Sequence, residues 1–227
     1  MTDAIGTNGI WRVLQHGDSA FPSGQSSFSW GLETLVNDGR VHDAATLYEF
    51  VAGQLRFRWA SVDRPLLLAS YRCCGRNDAV AEVDRTIEAM TLVPEFGSAS
   101  RRNGRSMLRV HARLETPGAS EYQAYRGEHH LPAHSLAIEG LIRWGQRLDE
   151  TAAQALSAYT LASSLCSAMV RLGRLGPLET QQVLDRLGGI VEELLQEPLQ
   201  ARPAGFVPEA EAAGLRHEYG SSRIFGN

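Results

Sequence analysis

Apolar residues recur along this chain at helical spacing from near its start to its last quarter, and period-two alternation of β-branched residues is almost absent. Phe28, Leu32, Leu35 and Val36 share one side of a segment that follows the turn Pro22-Ser-Gly24. That side predicts a core-facing helix, with Ser26 or Ser27 as its N-cap. Thr46 and Glu49 have capping-box spacing ahead of a helix through Val51, Leu55 and Phe57. Asp63-Arg-Pro65 predicts a new helix start, carrying Leu66, Leu67 and Leu68 and stopping near Gly75. Val80, Val83, Ile87 and Met90 form the next stripe, which Pro94 ends. A helix from Ser98 to Leu114 then leads to the loop Thr116-Pro-Gly-Ala-Ser120.

The second half continues in the same way, with a short helix around Tyr122 and Tyr125 and a longer one from Pro132 to Gln146. Thr151 and Gln154 are spaced as a capping box for a helix whose stripe is Ala152, Ala155, Leu156, Tyr159, Ala162, Ser163, Cys166, Met169 and Val170. Its hydroxyls, Ser157, Thr160, Ser164 and Ser167 among them, make it a poor membrane span and a good close-packing bundle helix. Pro177 opens a further helix with Val183, Leu187, Val191 and Leu194 inward. Beyond Pro198 the stretch Ala201-Arg-Pro-Ala-Gly-Phe-Val-Pro208 reads as an extended linker, and Glu209 to Tyr219 as a short helix followed by a loose tail. The expectation is an all-α fold: a single-domain helical bundle of about nine or ten helices over residues 1–227. Residues 1–9 are expected to be flexible, and residues 198–227 to form a linker and a partner-binding tail.

Composition narrows the chemistry. The chain is 43% hydrophobic and 21% charged, as soluble globular proteins are. A net charge of −4 argues against a general polyanion binder. All 22 basic residues are arginine, and the absence of lysine excludes a Walker A loop, a Schiff-base lysine and a pyridoxal site. Cys73, Cys74 and Cys166 have no metal-ligand spacing and read as reduced thiols of a cytoplasmic protein. The first residues lack a basic segment followed by an apolar one, so no secretion signal is expected.

Several residues invite a functional reading. Ser29, Trp30 and Glu33 fall off the apolar side of the first motif, as a contact surface would, and Glu33 is expected to contribute no core volume. His130 and His134 stand one turn apart if a helix begins at Pro132, with His129 beside them. No third ligand or zincin motif accompanies them, so no metal site is assigned. Arg101, Arg105, Arg109 and Arg113, with Arg102 alongside, form a slowly winding ridge suited to an acidic protein surface. No aromatic residues interleave with it as a nucleic-acid binder would require. Ser27 and Ser29 near His16 and Asp18 lack a nucleophile elbow, and no catalytic residue is assigned.

Pro22-Ser-Gly24 with Ser29-Trp-Gly-Leu-Glu33 resembles the N-terminal signature of the urease accessory protein UreF family. Gly127-Glu-His-His-Leu-Pro132, Val170-Arg-Leu-Gly-Arg-Leu-Gly176 with Gln181, and Phe206-Val-Pro208 with Leu215-Arg-His-Glu218 and Ser222-Arg-Ile-Phe225 resemble its later segments, in the same order. Arg174 stands where the family pattern has proline, and Thr180 where it has glycine. The resemblance implies a non-catalytic, cytoplasmic, all-α maturation factor, commonly dimeric, that inserts nickel into urease. Its implied partners are a nickel-carrying GTPase, a scaffold accessory protein and the urease apoenzyme, with no nucleic acid and no membrane. No cofactor is bound tightly, and nickel is handled by the complex. The implied contact residues are Trp30, Glu33, Arg171, Gln181, Arg216, His217, Arg223 and Phe225. Two other classes remain open on the residues alone: a metalloenzyme using His130, His134 and a distant carboxylate, and an arginine-ridge nucleic-acid binder.

Overall fold

Helices build every regular element among the described residues, as the periodicity predicts. The computed structural model describes residues 6–18, 20–22, 30–205 and 207–217, the side chain of His217 excepted. Ser26, Ser27, Phe28, Ser29, Arg223 and Phe225 lie outside them. The order is α1 (Thr7–Gly17), α2 (Leu32–Asn37), α3 (Ala44–Gln54), a π-helical segment (Leu55–Asp63), α4 (Arg64–Tyr71) and α5 (Asn77–Met90). There follow α6 (Pro94–Arg113), α7 (Ala119–Glu128), α8 (Ser135–Gly145), α9 (Glu150–Arg171), α10 (Pro177–Gln196) and α11 (Pro208–His217). No helix among the described residues is long and apolar enough to cross a membrane.

The chain divides into two compact units. The first comprises Met1–Gly24, Leu66–Leu92 and Ser100–Ser157. Its core gathers Val80 and Ala81 of α5, Met107 and Leu108 of α6, Tyr122 of α7 and Ile138, Leu141 and Ile142 of α8. Each large aliphatic side chain enclosed in this way stabilises by about 1.5–3 kcal/mol. Helix α8 passes so close to α4 that a Cβ on Gly140 would stand 2.4 Å from the Leu67 carbonyl oxygen. The Ser70 hydroxyl donates to the Ala137 carbonyl at 2.5 Å across the same contact. Asp84, fully buried on α5, holds the entry to α8 by accepting the Ala133 and His134 backbone N–H groups at 2.8 and 2.7 Å. Burial pushes the Asp84 carboxyl above its usual range, and those two N–H groups oppose the rise.

The second unit comprises Gln25–Pro65, Val93–Ala99 and Ala158–Asn227. Its core joins Leu32 and Leu35 of α2, Leu47 and Val51 of α3, Leu165 and Met169 of α9, and Val183, Leu187 and Leu194 of α10. Asp43 caps α3, with Thr46 completing the box from its other side: the Thr46 N–H meets Asp43 Oδ1 at 2.8 Å. The expected pair Thr46 and Glu49 is therefore displaced by one turn. In the same way Asp149, not Thr151, receives the first-turn N–H of Ala152 at 2.7 Å at the start of α9.

Asp63-Arg-Pro65 does not start a helix; the chain stays helical from α3 through the π segment into α4. Pro65 has no N–H to give the Ser61 carbonyl, and the Ala204 N–H supplies that bond at 3.2 Å from the linker after α10. Arg64, buried beside it, donates to the Leu194, Leu195 and Glu197 carbonyls and so closes the C-terminus of α10.

Gly140→Ala should cost at least about 2 kcal/mol, because backbone is the nearest obstacle and cannot rotate away. Gly127→Ala, with open space around it, is the control and should be neutral or mildly stabilising. Urea unfolding of the two variants checks the difference.

Candidate interaction site

Trp30 and Gly31 carry positive φ angles of 51° and 78°, placing two consecutive residues in the left-handed region just before α2. Glycine is required at the second for a further reason. A Cβ there would stand 2.7 Å from the Ala210 carbonyl oxygen and 3.0 Å from the Ala213 side chain. Helix α11 thus lies directly against the turn. Its Gly214 repeats the constraint, since a Cβ there would meet the Phe96 ring at 2.5 Å. Ala210 and Ala213 are buried, and ion pairs Arg216–Asp38, at 2.8 Å, and Arg40–Glu209 flank the contact. Exposed pairs of this kind contribute about 0–1 kcal/mol each, so the close backbone approach decides the docking.

The Trp30 ring meets Phe96 edge-on with centroids 5.3 Å apart. The Arg58 guanidinium covers it at 3.7 Å. Arg58 comes from the π segment and also pairs with buried Asp63 at 3.3 Å. Burial raises the Asp63 carboxyl, and Arg58 opposes the rise. Helical periodicity gives no sign of this Arg58–Trp30–Phe96 stack, because its members come from three separate stretches of sequence.

Glu33 differs from expectation. It is only 1% exposed, on a six-residue helix against which α11 packs, so it belongs to the interior of the unit. From Pro208 to His217 the chain forms a helix, as expected for this stretch, and that helix is docked against α2. The site therefore brings Trp30, Glu33 and Arg216 onto the α2–α11 assembly, with the His217 backbone at its end. Arg171, the last residue of α9, and Gln181, in α10, occupy exposed positions on two other helices of the unit.

In the first unit, residues 129–134 are not helical, so His130 and His134 are not stacked by one turn. His130 is exposed with φ +51°. His134 is the buried N-cap residue of α8; its Nδ1 lies 3.1 Å from the Ser100 hydroxyl and its Nε2 2.5 Å from Glu88. Glu88 also binds Arg101, which removes that arginine from the sequence-read ridge. Among the described residues, no group of three His, Cys, Asp or Glu side chains is placed to hold a metal ion.

Sequence reading passed over a second pair, His16 and His111, whose rings stack with centroids 5.0 Å apart while Phe21 packs edge-on to His16. Burial, then Arg143, lowers their pKa values, to about 3 for His16 and about 4 for His111; Arg12 adds to the effect at His16. Both imidazoles are neutral at ordinary pH.

Helices joined by close backbone contact, with a motif turn that seats the C-terminal helix, define an all-α protein. A sequence model of the family described as UreF matches residues 41–188. Over 226 residues the chain is 29% identical to the urease accessory protein UreF of Trichodesmium erythraeum, covering 95% of each chain. It is 30% identical to that of Granulibacter bethesdensis, over 99% of this chain and 96% of the relative. It is 27% identical to urease accessory protein UreF 1 of Brucella melitensis, over 96% and 93%. The chain belongs to the UreF family of urease accessory proteins.

Two outcomes follow from the geometry. Glu33→Ala should cost more than about 1 kcal/mol, because it empties an enclosed position; an unchanged melting temperature would contradict the burial. In the second, the unfolded chain binds protons at His16 and His111 near pH 6.5, whereas the native state does so only near pH 3–4. Stability is therefore full above pH 6.5 and falls as the pH drops from there, by up to about 1.4 kcal/mol per unit for each histidine. His111→Gln should flatten that fall in urea titrations between pH 6.5 and 5.

Proposed function

We propose that this chain is a urease maturation factor that docks a nickel-carrying GTPase and a scaffold accessory protein onto the urease apoenzyme. In this reading it regulates the coupling of GTP hydrolysis to nickel transfer. The observation that carries the reading is its likeness, over nearly its whole length, to relatives named urease accessory protein UreF. The chain's own residues support a docking role. It has no lysine for a P-loop, so the hydrolytic machinery belongs to a partner, and nickel passes through the complex without a tight site here. No residue is assigned to catalysis.

The α2–α11 assembly is the part best suited to meet the scaffold partner. Arg216 and Leu215 lie exposed on α11, and the chain continues from there into Arg223 and Phe225, anchor types that fit a partner's pocket. Exposed Arg171 and Gln181 offer a second surface on the same unit. The protein acts in the cytoplasm as a homodimer within the larger complex.

The test is reconstitution of urease activation from apoenzyme, GTPase, scaffold protein and nickel. Omitting this chain should abolish activation, and the chain alone should turn over neither GTP nor urea. Removal of residues 209–227 should abolish scaffold binding; because α11 packs on α2, it should also lower the melting temperature of the remaining protein. Undiminished scaffold affinity in the truncated chain would refute the docking assignment, and steady GTP turnover that depends on a residue of this chain would refute the non-catalytic one.

A further inference from the structure

Four arginines of the first unit have a carboxylate partner: Arg72 with Glu150, Arg85 with Glu82, Arg101 with Glu88 and Arg143 with Glu139. Arg105, Arg109 and Arg113, on successive turns of α6, and Arg126 on α7 have none among the described residues. The three on α6 are exposed and Arg126 is half-buried. Spaced four residues apart, the α6 guanidinium groups spread over about 12 Å of helix.

The fold holds this charge together against its own repulsion. Helix α6 lies so close to the loop after α7 that a Cβ on Gly104 would overlap the Ala133 carbonyl oxygen. Arg105 follows directly, and its Nε donates to the Pro132 carbonyl of the same loop at 3.3 Å. The Leu131 N–H returns to the Arg126 carbonyl at 3.1 Å, so one loop ties both arginines. Burial, then the charge of Arg105, lowers the Arg126 pKa, as neighbouring cations do. The carboxylate that opposes this shift is Asp84, which is already engaged inside the unit by the Ala133 and His134 N–H groups.

We infer that the exposed side of α6 carrying Arg105, Arg109 and Arg113, with Arg126 beside it, docks an acidic segment of a partner protein. A single exposed ion pair is weak, so this open surface does not retain a small anion. Several carboxylates on one chain act together, relieve the repulsion among the arginines and steer the encounter. A long polyanion is disfavoured by the net charge of −4. Tyr125, next to Arg126, offers no free ring for a base, since it packs on His129 with centroids 4.2 Å apart. The inference does not rest on the urease reading, and its surface belongs to a different unit from the α2–α11 assembly.

Fluorescence anisotropy with the full-length protein compares three labelled probes: a peptide alternating glutamate and alanine, its glutamine counterpart, and single-stranded DNA of matched charge. The glutamate peptide should bind saturably at low salt, weaken as salt rises, and exceed both other probes about tenfold in affinity. Arg105→Gln combined with Arg109→Gln, both exposed, should weaken it about tenfold, and adding Arg126→Gln should weaken it further. Arg72→Gln, which removes the partner of Glu150, should change it less than about twofold. No saturable binding, undiminished affinity in the double variant, or an equal loss in Arg72→Gln would each overturn the assignment. So would equal binding of the glutamine peptide, or tighter binding of the DNA, which would make the surface a nucleic-acid site. Should the variant with Arg126→Gln fail to fold, the double variant decides alone.

Discussion

Backbone brought within reach of backbone is the constraint on which each unit depends. At Gly31 the left-handed turn and the Ala210 carbonyl leave no room for a side chain, and at Gly214 the Phe96 ring does the same. Helix α11 is seated by shape at both ends of this contact, and the ion pairs at Asp38 and Glu209 only orient it. Within the first unit Gly140 allows α8 the same intimacy with α4. Close approach of this kind tolerates no intermediate geometry: a methyl group either fits or displaces a helix. It gives the family signature Ser29-Trp-Gly-Leu-Glu33 a structural meaning, because two of its residues shape the turn and a third is enclosed behind it.

That meaning changes how the signature serves function. A carboxylate and an aromatic off the apolar stripe look like a ready-made contact surface. In the folded chain Trp30 is instead held between Phe96 and Arg58, and Glu33 is buried. The signature supports α11, and through it the position of Arg216. A partner that grips the C-terminal segment would therefore act on α2 as well, since the two helices share one close contact.

Much of the architecture was legible because strong local signals agreed. The stripe Val80, Val83, Ile87 marks α5, and Pro177 marks the start of α10, where the structure adds that the Glu179 carboxylate accepts the Gly176 N–H at 2.8 Å. Failures arose where a distant segment supplied what a local rule said was missing. Pro65 should interrupt a helix, yet Ala204 satisfies the carbonyl it leaves open. Glu33 should face outward, yet a helix nearly two hundred residues away packs against its own short helix. The histidine pair His16 and His111 shares no local pattern at all, and only the fold stacks them. For the site residues Arg171 and Gln181 the sequence carried family resemblance alone, and the structure adds that both are exposed.

Because α11 lies against the Gly31 turn at the start of α2, the two helices should behave as one cooperative element. Amide hydrogen exchange on the intact protein tests it most directly, comparing the parent chain with Gly214→Val, which forces α11 away from Phe96. Protection at residues 34–37 of α2 should fall together with protection at 212–216 of α11, while the amides of α5 and α8 keep theirs. Loss of protection in α11 alone, with α2 unchanged, would contradict it.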